Sequence, residues 1–229
     1  MIDLNNVYKY NFLLSIIIVS LCASLIICNI NIKAQKNKNS MLIDKIIYID
    51  AGHGGKDNGA CVDNVLEDSI NLAISNYLLE ELMNAGAYVL ASRTNDYDLA
   101  SMYQKNRKRE DLNNRVKYIN NSKPDIFISV HLNTYPSNSV SGGQAFYQNN
   151  DKSKALAETI QNNLNKINKK DKKSKKGDYF ILNNSKPVGV LVECGFLSNN
   201  DEREKLTSEK YQRQIARIIK VGIVDYFNL

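Results

Sequence analysis

The sequence predicts an α/β domain with an at least partly parallel sheet, on three observations. Three runs, KIIYID (45–50), DIFISV (125–130) and VGVLVE (188–193), are apolar almost throughout, the pattern of strands buried on both faces. Segments with apolar residues at helical spacing alternate with these runs. Each run also delivers a reactive side chain to its carboxyl end: His53 just past the first, His131 after the second and Glu193 closing the third. Ligands of open α/β sheets bind at that edge.

At 229 residues the chain suits one domain with an appendage. Its 43% hydrophobic and 24% charged residues exclude a disordered chain, and no internal repeat suggests a solenoid. A formal net charge of +6 is compatible with an anionic partner. Lysines and arginines do not interleave with aromatics on a nucleic-acid-binding motif, so an anionic polymer or a membrane surface is expected, and no nucleic acid. The four cysteines, Cys22, Cys28, Cys61 and Cys194, have neither zinc-finger nor CxxC spacing, and no disulfide framework is expected.

In chain order, residues 1–11 form an N-terminal flank. Residues 12–28 (FLLSIIIVSLCASLIIC) are uncharged and close to the roughly 20 needed to cross a bilayer, so they read as a transmembrane anchor or signal segment. Ala34 lies well past the apolar core for a cleavage site, which favours an uncleaved anchor. A polar linker (29–44) leads to the domain proper (45–229).

The strand Lys45–Asp50 runs into a loop from Ala51 to Val65, where Gly52, Gly54, Gly55 and Gly59 leave His53 little screened. Glu67 opens a helix carrying Ile70, Ile74, Tyr77 or Leu78, and Leu82 at helical spacing, with Gly86 where a C-terminal cap belongs. A strand over Ala87–Ala91 and a helix over Asp111–Asn120 precede the strand that ends at His131. Gln144–Gln148 reads as a strand and Lys152–Ile167 as a helix. The run KKDKKSKK (169–176) reads as a solvated loop, with binding to an anionic wall polymer or lipid as the alternative. Tyr179–Leu182 reads as a short strand, VGVLVE as a strand ending at Glu193, and helices start at about Asp201 and Ser208.

Zinc that hydrolyses an amide needs three protein ligands and an open position, and two histidines with one carboxylate are a common set. Both histidines of the chain sit at strand ends. Glu67 is the carboxylate candidate, although an acid in a first helical turn also answers the helix dipole. Glu193 is poorly explained by stability and well placed as a general base. Asp50 either accepts a hydrogen bond from a metal-bound histidine or bonds backbone, and Asn133 either positions substrate or forms a turn. Arg93 and Arg115 read as ion-pair or capping residues.

The segments IDAGHGGKDNGA, Glu67, SVHLN and LVECGFLSN, in this order, resemble the zinc-dependent N-acetylmuramoyl-L-alanine amidases of the amidase-3 type. SRTND around Arg93 and LNNRVKYIN around Arg115 extend the resemblance over nearly all of 45–229. It implies a single, phosphorylase/hydrolase-like α/β domain with a mixed, mostly parallel sheet flanked by helices. It implies Zn2+ held by His53, Glu67 and His131, with Glu193 as catalytic acid/base. The implied reaction is hydrolysis of the amide between N-acetylmuramic acid and the L-alanine of the stem peptide, with peptidoglycan as substrate. The layout of one apolar segment and one domain is similar to amidases of spore-forming bacteria that act on the spore cortex in the first step toward muramic-δ-lactam. The expectation is therefore an exported protein on the cell-wall side, in a forespore the intermembrane space, with an accessory or activator protein as a further partner. Two other readings stay open: a wall cysteine peptidase using Cys194 or Cys61, and a catalytically silent wall-binding protein.

Overall fold

Alternation along the central strands sets the architecture. In strand β1 (Ile46–Ala51), Ile47 and Ile49 face one side of the sheet and Tyr48 the other. The same division runs through β5 (Ile126–Asn133) and β8 (Val188–Phe196), where Ile126, Ile128, Val130, Val190 and Val192 share the first side, and Phe127 and Leu191 the second. Both sides are covered, which is why these runs lack a solvent-facing polar half.

The structure is a computed structural model that describes residues 41–103 and 105–229 together with Ser20 and Ser24. The chain divides into two units, Met1–Met41 and Leu42–Leu229, and the second is the α/β domain. Leu42, in the stretch read as linker, is already fully buried, and its amide donates to the Ala85 carbonyl. Apart from those two serines, the segment 12–28 lies outside the described residues. No helix of the described residues is long and apolar enough to cross a membrane.

Two further strands are β4 (Tyr88–Ala91) and β6 (Gln144–Tyr147), and Lys175–Lys176 forms the two-residue β7. The sheet order among the described residues is β4-β1-β5-β8-β6-β7, with every neighbouring pair parallel except β6 against β8. The sheet is thus mixed and mostly parallel. Helices α1 (Glu67–Asn84), α3 (Asp151–Leu164) and α6 (Glu209–Phe227) cover the larger apolar face, while α2 (Arg107–Ser122) and the short α4 (Phe180–Asn184) cover the other. A seven-residue helix α5 (Asn200–Leu206) precedes α6.

Three sequence expectations are corrected. Tyr179–Leu182 is not a strand: Ile181 and Leu182 both bury in the cluster around Phe127, which one helical turn permits and an alternating strand does not. The last long strand continues past Glu193 to Phe196, because Cys194 and Phe196 are themselves buried and Phe196 pairs with Asn133 across an irregular register. Within the loop 51–65, β2 (Cys61–Val62) and β3 (Val65–Leu66) form a tight hairpin through Asp63 and Asn64, both in the left-handed region that such two-residue turns require.

Gly189 pairs with Phe127, and a Cβ there would lie 1.8 Å from the ring. Gly189→Ala should destabilise the domain by about 1–3 kcal/mol in denaturant melts. Adding Phe127→Leu should recover part of that loss, and purely additive effects would mean that the two residues do not share this space.

Candidate metal centre

The polar side chains of the three central strands all fall on the Phe127 side of the sheet, beyond the point where apolar packing ends. Asp50, Ser129, His131 and Glu193 follow Tyr48, Phe127 and Leu191 at two-residue steps, so alternation alone brings them to one face. The register completes the arrangement: Asp50 pairs with Ser129, and His131 pairs with Glu193.

His53 arrives from the loop after β1 and Glu67 from the first turn of α1. Glu67 is buried, yet its Oε1 lies 3.3 Å from His53 Nε2 and 3.1 Å from His131 Nδ1. The same oxygen accepts from the Leu132 amide (3.1 Å) and from Asn71 Nδ2 (3.2 Å), and Oε2 accepts from the Ala60 amide (2.9 Å). Burial alone would raise the Glu67 carboxyl, but its contacts with His131 and His53 hold it well below the usual carboxylate range. For His53 burial pulls downward, and Glu67 and Asp57 outweigh it, so its pKa is raised.

Ligand atoms of His53, Glu67 and His131 lie within 4.8 Å of one another. Two imidazoles and a carboxylate are the donor count of a catalytic divalent-metal site that keeps a position open. The surrounding backbone fits that reading. A Cβ on Gly52 would lie 2.2 Å from His131 Cε1, and one on Gly59 2.6 Å from Glu67 Oε2 and 2.7 Å from His53 Cδ2, so side chains at either position would displace the donors.

His53 itself has φ of 60°, a conformation that costs a non-glycine residue energy. Two buried arginines hold the strained loop. Arg93 donates to the carbonyls of Ala51, Gly52 and Asp68, and Arg115 to those of Ala51 and His53. Arg115 is fixed in turn by Asp50 and Asp111, each at 2.7 Å. Arg115 therefore fills the ion-pair role as well as satisfying carbonyls, whereas Arg93 satisfies carbonyls and forms no ion pair among the described residues.

Asp50 does not accept from either histidine: its two oxygens are taken by Arg115 Nη1 and Ser129 Oγ, both at 2.7 Å. The strand direction explains this, since Asp50 points into the polar layer beneath α2 and His53 lies three residues further along. The acceptor at His53 Nδ1 is Asp57, at 3.0 Å, a residue the sequence reading passed over. Its spacing of four from His53 within a glycine-rich turn was the available signal. Asn133, near His131 on β5, lines a groove of about 490 Å³ whose floor includes Gln144 and Phe196.

Glu193 is buried, and burial raises its carboxyl against the opposing influence of His131. Oε1 accepts from the Tyr179 hydroxyl at 3.3 Å, and Oε2 has no hydrogen-bond partner among the described residues. A buried carboxylate with a raised pKa and one uncommitted oxygen is equipped to exchange a proton. Cys194, next in sequence, points to the opposite face of the strand, is fully packed, and has its thiol pushed upward by burial. It is a core residue, which removes the reading of Cys194 as a nucleophile.

An α/β sheet with a His–Glu–His cluster that could hold a divalent metal, and a buried acid beside it at the carboxyl edge, has the donor set and the proton-exchanging group that a metal-assisted hydrolase would use. Residues 47–225 match the amidase-3 family, described as N-acetylmuramoyl-L-alanine amidase, and the chain belongs to that family. It is an N-acetylmuramoyl-L-alanine amidase, which sets aside the silent wall-binding reading. The germination-specific N-acetylmuramoyl-L-alanine amidase of Bacillus subtilis (strain 168) is 40% identical over 193 residues, covering 81% of each chain. The Clostridioides difficile CwlD amidase, solved in complex with the GerS lipoprotein, is 36% identical with a TM-score of 0.78, over 81% of this chain and 99% of that one. An N-acetylmuramoyl-L-alanine amidase from Clostridium difficile 630 is 32% identical with a TM-score of 0.72, over 80% of this chain and 97% of that one.

The Asp50 carboxyl would rise on burial alone, but Arg115 and Ser129 hold it below its ordinary value of 3.8. A carboxyl lowered in the folded state contributes stability that is fully present above its unfolded value and lost as pH falls through the folded one. Asp50→Asn should therefore cost about 3 kcal/mol in urea melts at pH 7, a gap that closes as the pH drops below 3.8. A gap unchanged across that range would contradict the ion-pair account.

Proposed function

We propose that this amidase is zinc-dependent and cleaves the amide between N-acetylmuramic acid and the L-alanine of the peptidoglycan stem peptide. The observation that carries the reading is the single carboxylate of Glu67 within 3.3 Å of both histidines, with Glu193 paired to His131 one strand away. His53 Nε2, His131 Nδ1 and Glu67 Oε1 would hold the ion. Bound there, zinc supplies a Lewis acid for the amide carbonyl and lowers the pKa of water to about 7.

The chain's own groups do the rest. Asp57 fixes the His53 ring by accepting at Nδ1, and the two arginines hold the loop that presents it. Glu193 Oε2 takes the proton of the attacking water as the new carbon–oxygen bond forms. It returns that proton to the leaving alanine nitrogen as the carbon–nitrogen bond breaks. Tyr179 holds the other oxygen, so the carboxylate keeps one orientation through both transfers.

The likeness to a germination-specific amidase supports a role in the spore cortex, where removal of the stem peptide is the first step toward muramic-δ-lactam. The apolar segment 12–28 supports export and attachment to the membrane, with the domain on the cell-wall side or in the forespore intermembrane space. The Clostridioides difficile amidase assembled with a lipoprotein supports an accessory protein as a partner.

Purified full-length protein, incubated with peptidoglycan and zinc, should release stem peptides with a free L-alanine amino terminus, detected by mass spectrometry. A chelator should abolish release. Glu193→Gln should retain zinc and lose at least about a hundredfold in rate. Undiminished release by Glu193→Gln would remove that residue from the proton transfers, and cleavage at another bond would overturn the substrate assignment.

A further inference from the structure

The groove beside Glu193 carries charge of one sign only. Lys172, Lys173 and Lys175 line it, and no carboxylate is among its lining residues. All three belong to the run read from sequence as a solvated loop, yet the chain places it against the sheet. Lys175 pairs through its backbone with Phe146, and the Lys173 carbonyl accepts from Gln144 Nε2 at 2.8 Å. Lys172 is half-buried, donates to the Gly142 carbonyl at 2.6 Å and lies 4.7 Å from the centre of the Phe196 ring. Glu202, the carboxylate behind this wall, gives its oxygens to the Gly142 and Phe196 amides. Among the described residues, none of the three lysines forms an ion pair, whereas Lys169 in the same run is paired with Asp201.

The position of the groove relative to the chemistry is set by the sheet. Gln144, which lines it, pairs with Glu193 on the neighbouring strand, so their backbones are one strand spacing apart, about 4.8 Å, and their side chains leave the sheet on the same face. Asn133, on its edge, is two residues along β5 from His131. A volume of about 490 Å³ is ample for a short peptide segment. Resting on the amidase reading above, we infer that this groove binds the acidic peptide on the leaving side of the scissile amide, with Lys173 and Lys175 pairing its carboxylates. The exposed lysines act as a specificity device: they hold an acidic peptide in register with Glu193 and give a neutral one nothing in exchange for lost hydration.

The test uses soluble muramyl-peptide fragments with free carboxylates and the same fragments whose carboxylates have been converted to primary amides with carbodiimide and ammonium. The full-length zinc-loaded protein is compared with Lys173→Gln/Lys175→Gln, and with Lys117→Gln/Lys210→Gln as a charge-matched control on exposed helical positions. Wild type should favour the free over the amidated fragment by about fivefold or more in kcat/KM, as expected for two exposed charge pairs. The groove variant should lose that preference through KM, with kcat changed much less, and the control should keep it. A groove variant that retains the wild-type KM on the free fragment would overturn the proposal, as would a wild type indifferent to amidation. A KM that rises equally for both fragments assigns the lysines to a different anion, and also overturns it. If wild type releases peptide from neither fragment, the amidase reading fails first and carries this inference with it.

Discussion

One buried carboxylate ties the site together. Glu67 draws in the loop after β1 through His53 and Ala60, the end of β5 through His131 and Leu132, and its own helix through Asn71. An acid this deeply placed would be costly alone. Here Oε1 is matched by donors from the end of β5 and from its own helix and Oε2 by the Ala60 amide, and the two histidines among these neighbours are also groups the chemistry requires. The first turn of α1 adds its dipole, which means that the two readings of an acid at this position describe one residue serving both ends.

The division of the sheet into faces is the second constraint. Continuous apolar packing occupies the face under α1, α3 and α6, and the other face is apolar only at its start and polar toward the carboxyl edge. Asp50, Ser129 and Arg115 form a hydrogen-bonded layer between that apolar start and the reactive edge. Arg115 reaches from this layer to the His53 carbonyl, linking the buried ion pair to the strained loop that presents the imidazole. Stability of the fold and geometry of the site are joined at that guanidinium.

Much of this was legible in the sequence because the informative signals were local. Long apolar runs marked the central strands, and a histidine or acid where each run gave way marked the reactive edge. What was not legible depended on contacts between distant segments. The strand through Glu193 continues because Phe196 finds a partner in Asn133, which no pattern within VGVLVE reveals. The helix at Phe180 forms because Ile181 and Leu182 meet one cluster against β5, whereas their composition alone suits a strand. Asp50 reads equally as a histidine's partner or as a backbone acceptor, and only the positions of Arg115, 65 residues away, and Ser129 show that it is neither, leaving the role at His53 to Asp57. The lysine run is largely solvent-facing, as its composition suggests, and only the sheet order shows that Lys175 and Lys176 pair with β6.

The central claim is that Glu67 assembles a metal site from two histidines. Its most direct test is the zinc content of purified Glu67→Gln beside wild type, measured by plasma mass spectrometry after equilibration with limiting zinc. The account predicts close to one zinc per wild-type chain and a small fraction of that in the variant, with the far-ultraviolet circular dichroism unchanged because glutamine preserves the side chain's shape. Equal zinc in the two proteins would contradict it.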